Sequence, residues 1–147
     1  MVAENRFENL KHLVRRITRT TTRILPDNEG VALRFINQNV PNSTDLTLDQ
    51  IDNIITPMQP PKKGTAIGTN LKKKILEPLV YEPLNAGKLS RPLLVIVITD
   101  GEPTEESANA FVDAIVECGD RLSELDYPRE SKFVLRLSMI DLRLTAK

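Results

Sequence analysis

The chain has 147 residues, with 20 Lys and Arg against 20 Asp and Glu, one cysteine, one histidine and no tryptophan. Balanced charge removes any whole-protein field that would steer it to nucleic acid or an acidic membrane. The lone Cys118 forms no internal disulfide, the single His12 excludes the usual Cys/His zinc site, and 4% aromatics leave a core of Leu, Ile and Val.

Residues 5–24 read as an amphipathic helix. Phe7, Leu10, Val14, Ile17, Thr21 and Ile24 recur at spacings of three and four, while Lys11, Arg15, Arg16, Arg19 and Arg23 fall mostly elsewhere. The turn signal Pro-Asp-Asn-Glu-Gly (26–30) follows, then a strand over 31–36 with Val31, Leu33 and Phe35 on one face. Thr47 and Gln50 have the spacing of a capping box for a short helix carrying Leu48, Ile51, Ile54 and Ile55, ended by Pro57, Pro60 and Pro61. Gly-Thr-Ala-Ile-Gly (64–68) leads into another helix with Leu71, Ile75 and Leu79 on one side, which Pro78 is expected to kink or end.

Residues 93–98, Leu-Leu-Val-Ile-Val-Ile, form a continuous apolar run. Such a run suits a strand covered on both faces. It passes through Thr-Asp-Gly-Glu-Pro-Thr (99–104) into a helix with Phe111, Ile115, Cys118, Leu122 and Leu125 on one stripe and Glu105 and Glu106 in its first turn. The last strand is read over 133–140. Strands alternating with helices imply right-handed crossovers and an open, mostly parallel sheet, whose ligands bind at the carboxyl ends of the strands.

Two segments bring polar groups to that edge. Asp100 follows the apolar strand directly, with Gly101 permitting a tight turn, and Thr65 lies near the start of a helix. Ile-Val-Ile-Thr-Asp-Gly-Glu-Pro (96–103), preceded by Gly-Thr-Ala-Ile-Gly-Thr-Asn-Leu (64–71), resembles two of the three motifs of a von Willebrand factor A domain. The likeness runs over about 6–138 and is nearest to intracellular members found in fungi. It implies a three-layer, Rossmann-like α/β fold, a mostly parallel sheet with helices on both faces, as a single domain over 1–147. It also implies a site for Mg²⁺ or Mn²⁺ in which Thr65 is the threonine ligand and Asp100 the carboxylate of the last motif, completed by a protein partner's carboxylate.

The sequence departs from that pattern in one decisive respect. No Asp-x-Ser-x-Ser motif occurs in it, so the first central strand and its ligands are missing. Thr65 and Asp100 alone offer one neutral oxygen and one carboxylate, too few to compete with the hydration of Mg²⁺. The expectation is weak or no metal binding. The chain therefore reads as a protein-binding module rather than an enzyme, with two alternatives: a Rossmann-like enzyme acting on a small molecule or nucleotide, or a truncated, non-functional product. No glycine-rich dinucleotide fingerprint, P-loop ending or nucleophile elbow supports the enzyme.

The remaining features have plainer readings. The lysines at 62, 63, 72, 73 and 74 suit a solvated face, and too few aromatics accompany them for nucleic acid. Cys118 falls on an apolar stripe and His12 at a surface position. No apolar stretch approaches the ~20 residues of a membrane-spanning helix, and the first ten residues lack a signal core, so a cytoplasmic or nuclear chain without membrane or nucleic-acid partners is expected.

Overall fold

The structure, a computed structural model, describes residues 2–26, 29–41, 43–59, 64–89, 93–99, 104–124 and 136–141. The chain divides into two compact units, 1–63 and 64–147, where the sequence reads as one domain.

In the first unit, helix α1 spans Val2–Thr21. Phe7, Leu10, Val14 and Ile17 are half-buried as their spacing requires, and His12 is exposed. Ile24, placed on the apolar face by periodicity, lies past the helix end and is 78% exposed. Lys11 corrects the sequence reading in the other direction: it is buried. Its ammonium lies 5.2 Å from the centroid of the Phe7 ring and donates to Glu8 Oε1 at 2.9 Å and to the Thr56 carbonyl at 3.1 Å. The long aliphatic stem accounts for this, since it packs as a hydrophobe while the head group finds acceptors. Arg15 works beside it, donating from Nε to the Asp52 carboxylate and from Nη2 to Thr56 Oγ1 at 3.1 Å.

These contacts gather at the end of helix α2, Leu48–Ile55. The capping box forms as its spacing predicts: Gln50 N–H donates to Thr47 Oγ1 (3.3 Å), and Thr47 N–H donates to Gln50 Oε1 (2.9 Å). Ile51, Ile55 and Leu46 make the core of this unit, with Val14, Val31, Leu33, Phe35 and Ile54 packed around them.

The strand expected over 31–36 does not form. Val31 makes a single antiparallel bridge to Leu46, with both N–H···O bonds at 3.0 Å. The Arg34 guanidinium fills the space between the segments, donating to the Ser43 carbonyl and hydroxyl (2.7 Å each) and to Thr44 Oγ1 (2.8 Å). Leu33 N–H also donates to the Ser43 carbonyl (2.9 Å), but two short segments with no third strand beside them among the described residues do not sustain a ladder.

The second unit opens with one continuous helical run. It comprises α3, Ile67–Leu71, a wide π-helical segment, Lys72–Tyr81, and α4, Glu82–Asn85. Pro78 was expected to kink or end this helix, but the helix passes through it. Proline lacks an N–H and its ring crowds the i−4 carbonyl, and the wider turn relieves that crowding. The Glu82 N–H accordingly donates to Glu77 O, five residues back. The run closes at Gly87 (φ 66°), where Gly87 N–H reaches Leu84 O (3.1 Å) and Lys88 N–H reaches Pro83 O (2.8 Å).

Strand β1, Leu94–Thr99, pairs in parallel with β2, Arg136–Asp141, in a register that sets Val95 opposite Leu137 and Thr99 opposite Asp141. Helix α5, Ala110–Glu124, is the crossover that a parallel pair needs. The sequence placed the last strand over 133–140; 133–135 lie outside the described residues. Burial of β1 is less complete than its apolar run implies, with Val95 and Thr99 buried, 96–98 half-buried and Leu94 56% exposed. Leu71, Leu76, Val80, Tyr81, Val95, Ala114 and Cys118 form the core here, which places Cys118 where its stripe predicts. The architecture is thus mixed α/β, and the described residues contain one parallel strand pair, not a three-layer sheet. No helix among them is long and apolar enough to cross a membrane.

Candidate functional site

The loop carrying Thr65 is joined to the loop that leaves the carboxyl end of β1. Thr65 N–H donates to Thr104 Oγ1 and Thr104 N–H donates to the Thr65 carbonyl, both at 3.0 Å. Two segments some forty residues apart in sequence are therefore held side by side. Thr65 itself is half-buried and precedes Ala66, the residue at the N-cap of α3. Asp100 and Glu102 lie outside the described residues.

Glu106 completes the junction, and here the sequence reading is corrected. Glu105 and Glu106 were expected in the first turn of α5, but that helix begins at Ala110. Glu106 caps a different helix: its Oε1 accepts from Gly68 N–H (2.7 Å), and its Oε2 accepts from Thr69 N–H (2.9 Å) and Thr69 Oγ1 (2.8 Å). Burial pushes this carboxyl up, but the N–H groups of Thr69 and Gly68, the Thr69 hydroxyl and the Ile67 N–H outweigh it and hold the group below its ordinary value. An acid at a helix N-terminus was legible, but the identity of the helix was not, because the contact spans nearly forty residues.

Gly68 permits the close approach on which this arrangement depends. A Cβ added there would stand 2.3 Å from the Ala110 carbonyl carbon and 2.4 Å from the Phe111 nitrogen, so α3 lies against the start of α5 with no room for a side chain.

Electrostatics around the junction are largely settled within the chain. Lys72 Nζ pairs with Glu117 Oε2 at 2.7 Å, and Arg121 Nη2 pairs with Glu117 Oε1 at 2.9 Å. These two pairs hold the Glu117 carboxyl below its usual range through the Lys72 hydrogen bond first. They border an open groove of about 380 Å³ floored by Gly68, Ala110 and Ala114. The lysine cluster thus contributes Lys72 to an ion pair, and burial, then Lys73, lowers the Lys74 pKa. Lys62 and Lys63 lie outside the described residues.

Deeper in the unit, the Tyr81 hydroxyl is buried without a hydrogen-bond partner, and the Arg121 guanidinium stacks 4.3 Å from the centroid of its ring. Burial pushes the Tyr81 pKa up to about 12 and raises that of the Cys118 thiol. A buried thiol with a raised pKa is a packing residue, not a nucleophile.

Among the described residues no group of three or more His, Cys, Asp or Glu side chains is placed to hold a metal ion. Glu106 already spends both oxygens on Gly68 and Thr69. No protein-family model, curated protein or solved structure matches the chain.

Proposed function

We propose that the chain is a protein-binding module of the von Willebrand factor A type, with a three-layer sheet, whose contact surface is the edge shared by Thr65 and Asp100. In this reading the module is not an enzyme, and Mg²⁺ binds weakly or not at all. The carrying observation is the pair of backbone and hydroxyl bonds between Thr65 and Thr104. It supports the reading because the two motif-bearing loops of that family must meet at the carboxyl end of a parallel strand, where open α/β sheets hold their ligands. A partner would engage the Thr65 hydroxyl by hydrogen bonding, and a partner carboxylate would need a cation to offset the acidic side chains of the same edge.

Affinity capture with the wild-type chain and with a Thr65→Arg, Glu102→Arg variant, each with and without EDTA, tests both parts. The expected result is a protein retained by the wild type in either buffer and lost from the variant. Equal capture by both chains would move recognition to another surface. Calorimetric titration with MgCl₂ tests the metal: binding tighter than roughly millimolar, abolished by Asp100→Ala, would overturn the incomplete-site reading.

A further inference from the structure

The exposed side of α1 carries a feature that the edge described above does not use. His12, Arg16, Arg19 and Arg23 are spaced four, three and four residues apart, and all are exposed. At 3.6 residues per turn they fall within about 60° of the helix circumference and span about 16 Å along its axis. Arg23 follows the last residue of α1, but Thr22 N–H to Thr18 O (2.9 Å) and Leu25 N–H to Thr21 O (3.1 Å) keep the chain in helical turns there. The uncharged Asn5, Asn9 and Thr20 flank the stripe.

Charge of one sign at i, i+3 and i, i+4 is unfavourable. Solvated helix faces ordinarily alternate sign, because each like pair costs what an opposite pair would contribute. Among the described residues, the carboxylates of Glu8 and Asp52 relieve it only in part. Glu8 is engaged by Lys11, and Asp52 by Arg15. Arg16, Arg19 and Arg23 make no ion pair among the described residues. Salt screens part of this repulsion, and an anionic surface of matching spacing laid against the stripe would turn it into attraction.

Four kinds of polyanion could lie against it. A membrane requires an apolar face to insert, and the apolar side of α1 is half-buried, with Val14 packed into its own core. Single-stranded nucleic acid requires stacking aromatics, and the stripe has none. Duplex binding at physiological salt draws on roughly six to ten phosphate contacts, and this stripe offers three arginines in a unit of 9 basic and 7 acidic side chains. An acidic helix remains, and its geometry fits. Carboxylates spaced four, three and four on a second helix rise at the same 1.5 Å per residue, so each meets one basic group in register, and the guanidinium fork takes a carboxylate through two parallel bonds.

We infer that the stripe His12–Arg16–Arg19–Arg23 is a docking surface for an acidic helix of a partner protein. It belongs to residues 1–63, whereas the Thr65–Asp100 edge belongs to 64–147, so either surface can fail alone. The test uses the full chain and fluorescence anisotropy with a labelled alanine-rich peptide bearing glutamates at four-three-four spacing. A scrambled peptide of the same composition, a DNA duplex and phosphatidylserine vesicles serve as competing probes. The spaced peptide is expected to bind best, to weaken with salt, and to lose at least about tenfold in affinity, as expected for several exposed ion pairs together, in an Arg16→Gln, Arg19→Gln, Arg23→Gln variant. The corresponding Arg→Lys variant keeps the charge but not the fork and falls between the two. A Lys73→Gln, Lys88→Gln variant binds like wild type, and circular dichroism confirms that each variant is folded. Absence of peptide binding at low salt, an unaffected triple variant, equal binding of the scrambled peptide, or tighter binding of duplex or vesicles overturns the inference.

Discussion

Replacing Glu106 by alanine removes the side chain that ties the segment after β1 to the first residues of α3. Three hydrogen bonds go with it, at 2.7, 2.9 and 2.8 Å. Their losses are unequal. Gly68 is buried, so water replaces the carboxylate poorly at its N–H, whereas Thr69 is exposed and its N–H and hydroxyl are readily hydrated. A buried donor left unsatisfied costs about 1–3 kcal/mol, and exposed bonds to a charged group contribute a few tenths each after screening, so the variant should lose about 2 kcal/mol. Glu106→Gln keeps one acceptor oxygen and should lose about half of that.

The same contact predicts a pH dependence. The folded carboxyl titrates below its ordinary value of 4.5, so its stabilisation is fully present above that value and is lost as pH falls through the folded pKa. Urea unfolding followed by circular dichroism gives the stability, and amide hydrogen exchange at Gly68 gives the local effect. A Glu106→Ala chain within 0.5 kcal/mol of wild type, with unchanged protection at Gly68, would refute the capping role.

Other substitutions follow from the same structure. Tyr81→Phe removes a buried hydroxyl without a partner, leaves the ring under Arg121 in place, and should raise stability by about 1 kcal/mol in urea. The wild type should also lose stability as pH rises from 10 towards about 12, because the unfolded tyrosine releases its proton first, and the Phe variant should lose less. A destabilised Tyr81→Phe would mean that the hydroxyl is bonded. Gly68→Ala drives a methyl into the Ala110 backbone and should cost about 2 kcal/mol or more, measured by thermal unfolding; a neutral result would contradict the close helix contact. Lys11→Ala should cost about 1–2 kcal/mol through lost packing and an unpaired Thr56 carbonyl, while Arg16→Ala stays within 0.5 kcal/mol. Equal effects at the two positions would remove the distinction between Lys11 and the exposed stripe.

What could be read from the residues was local chemistry. The Thr47–Gln50 box, the short helix behind it and the helix carrying Cys118 each depend on neighbours within a few positions, and each forms; the apolar run at 93–98 also forms a strand, Leu94–Thr99, although its pairing partner lies some forty residues on. What could not be read depends on distant partners. The 31–36 segment alternates like a strand, but its backbone pairing to 43–46 is limited to a few bonds, with Arg34 adding side-chain bonds to Ser43 and Thr44. Pro78 normally ends a helix, but here the helix opens into wider turns around it. Lys11 looks solvated by type, but its stem packs as a hydrophobe and its ammonium finds acceptors in Glu8 and in the carbonyl of Thr56, forty-five residues away. At the candidate site the same division holds. The motif singles out Thr65, whereas Thr104 and Glu106, which hold its loop in place, act across about forty residues and leave no periodic trace.

The central claim is that Thr65 and Asp100 share one edge of the folded chain. A Thr65→Cys, Asp100→Cys, Cys118→Ala chain treated with a short bismaleimide tests it directly, with mass spectrometry to identify the joined peptides. The account predicts an intramolecular cross-link between positions 65 and 100 in the native chain that disappears in urea. A native chain with both thiols singly modified, or cross-linked no better than the unfolded one, would contradict it.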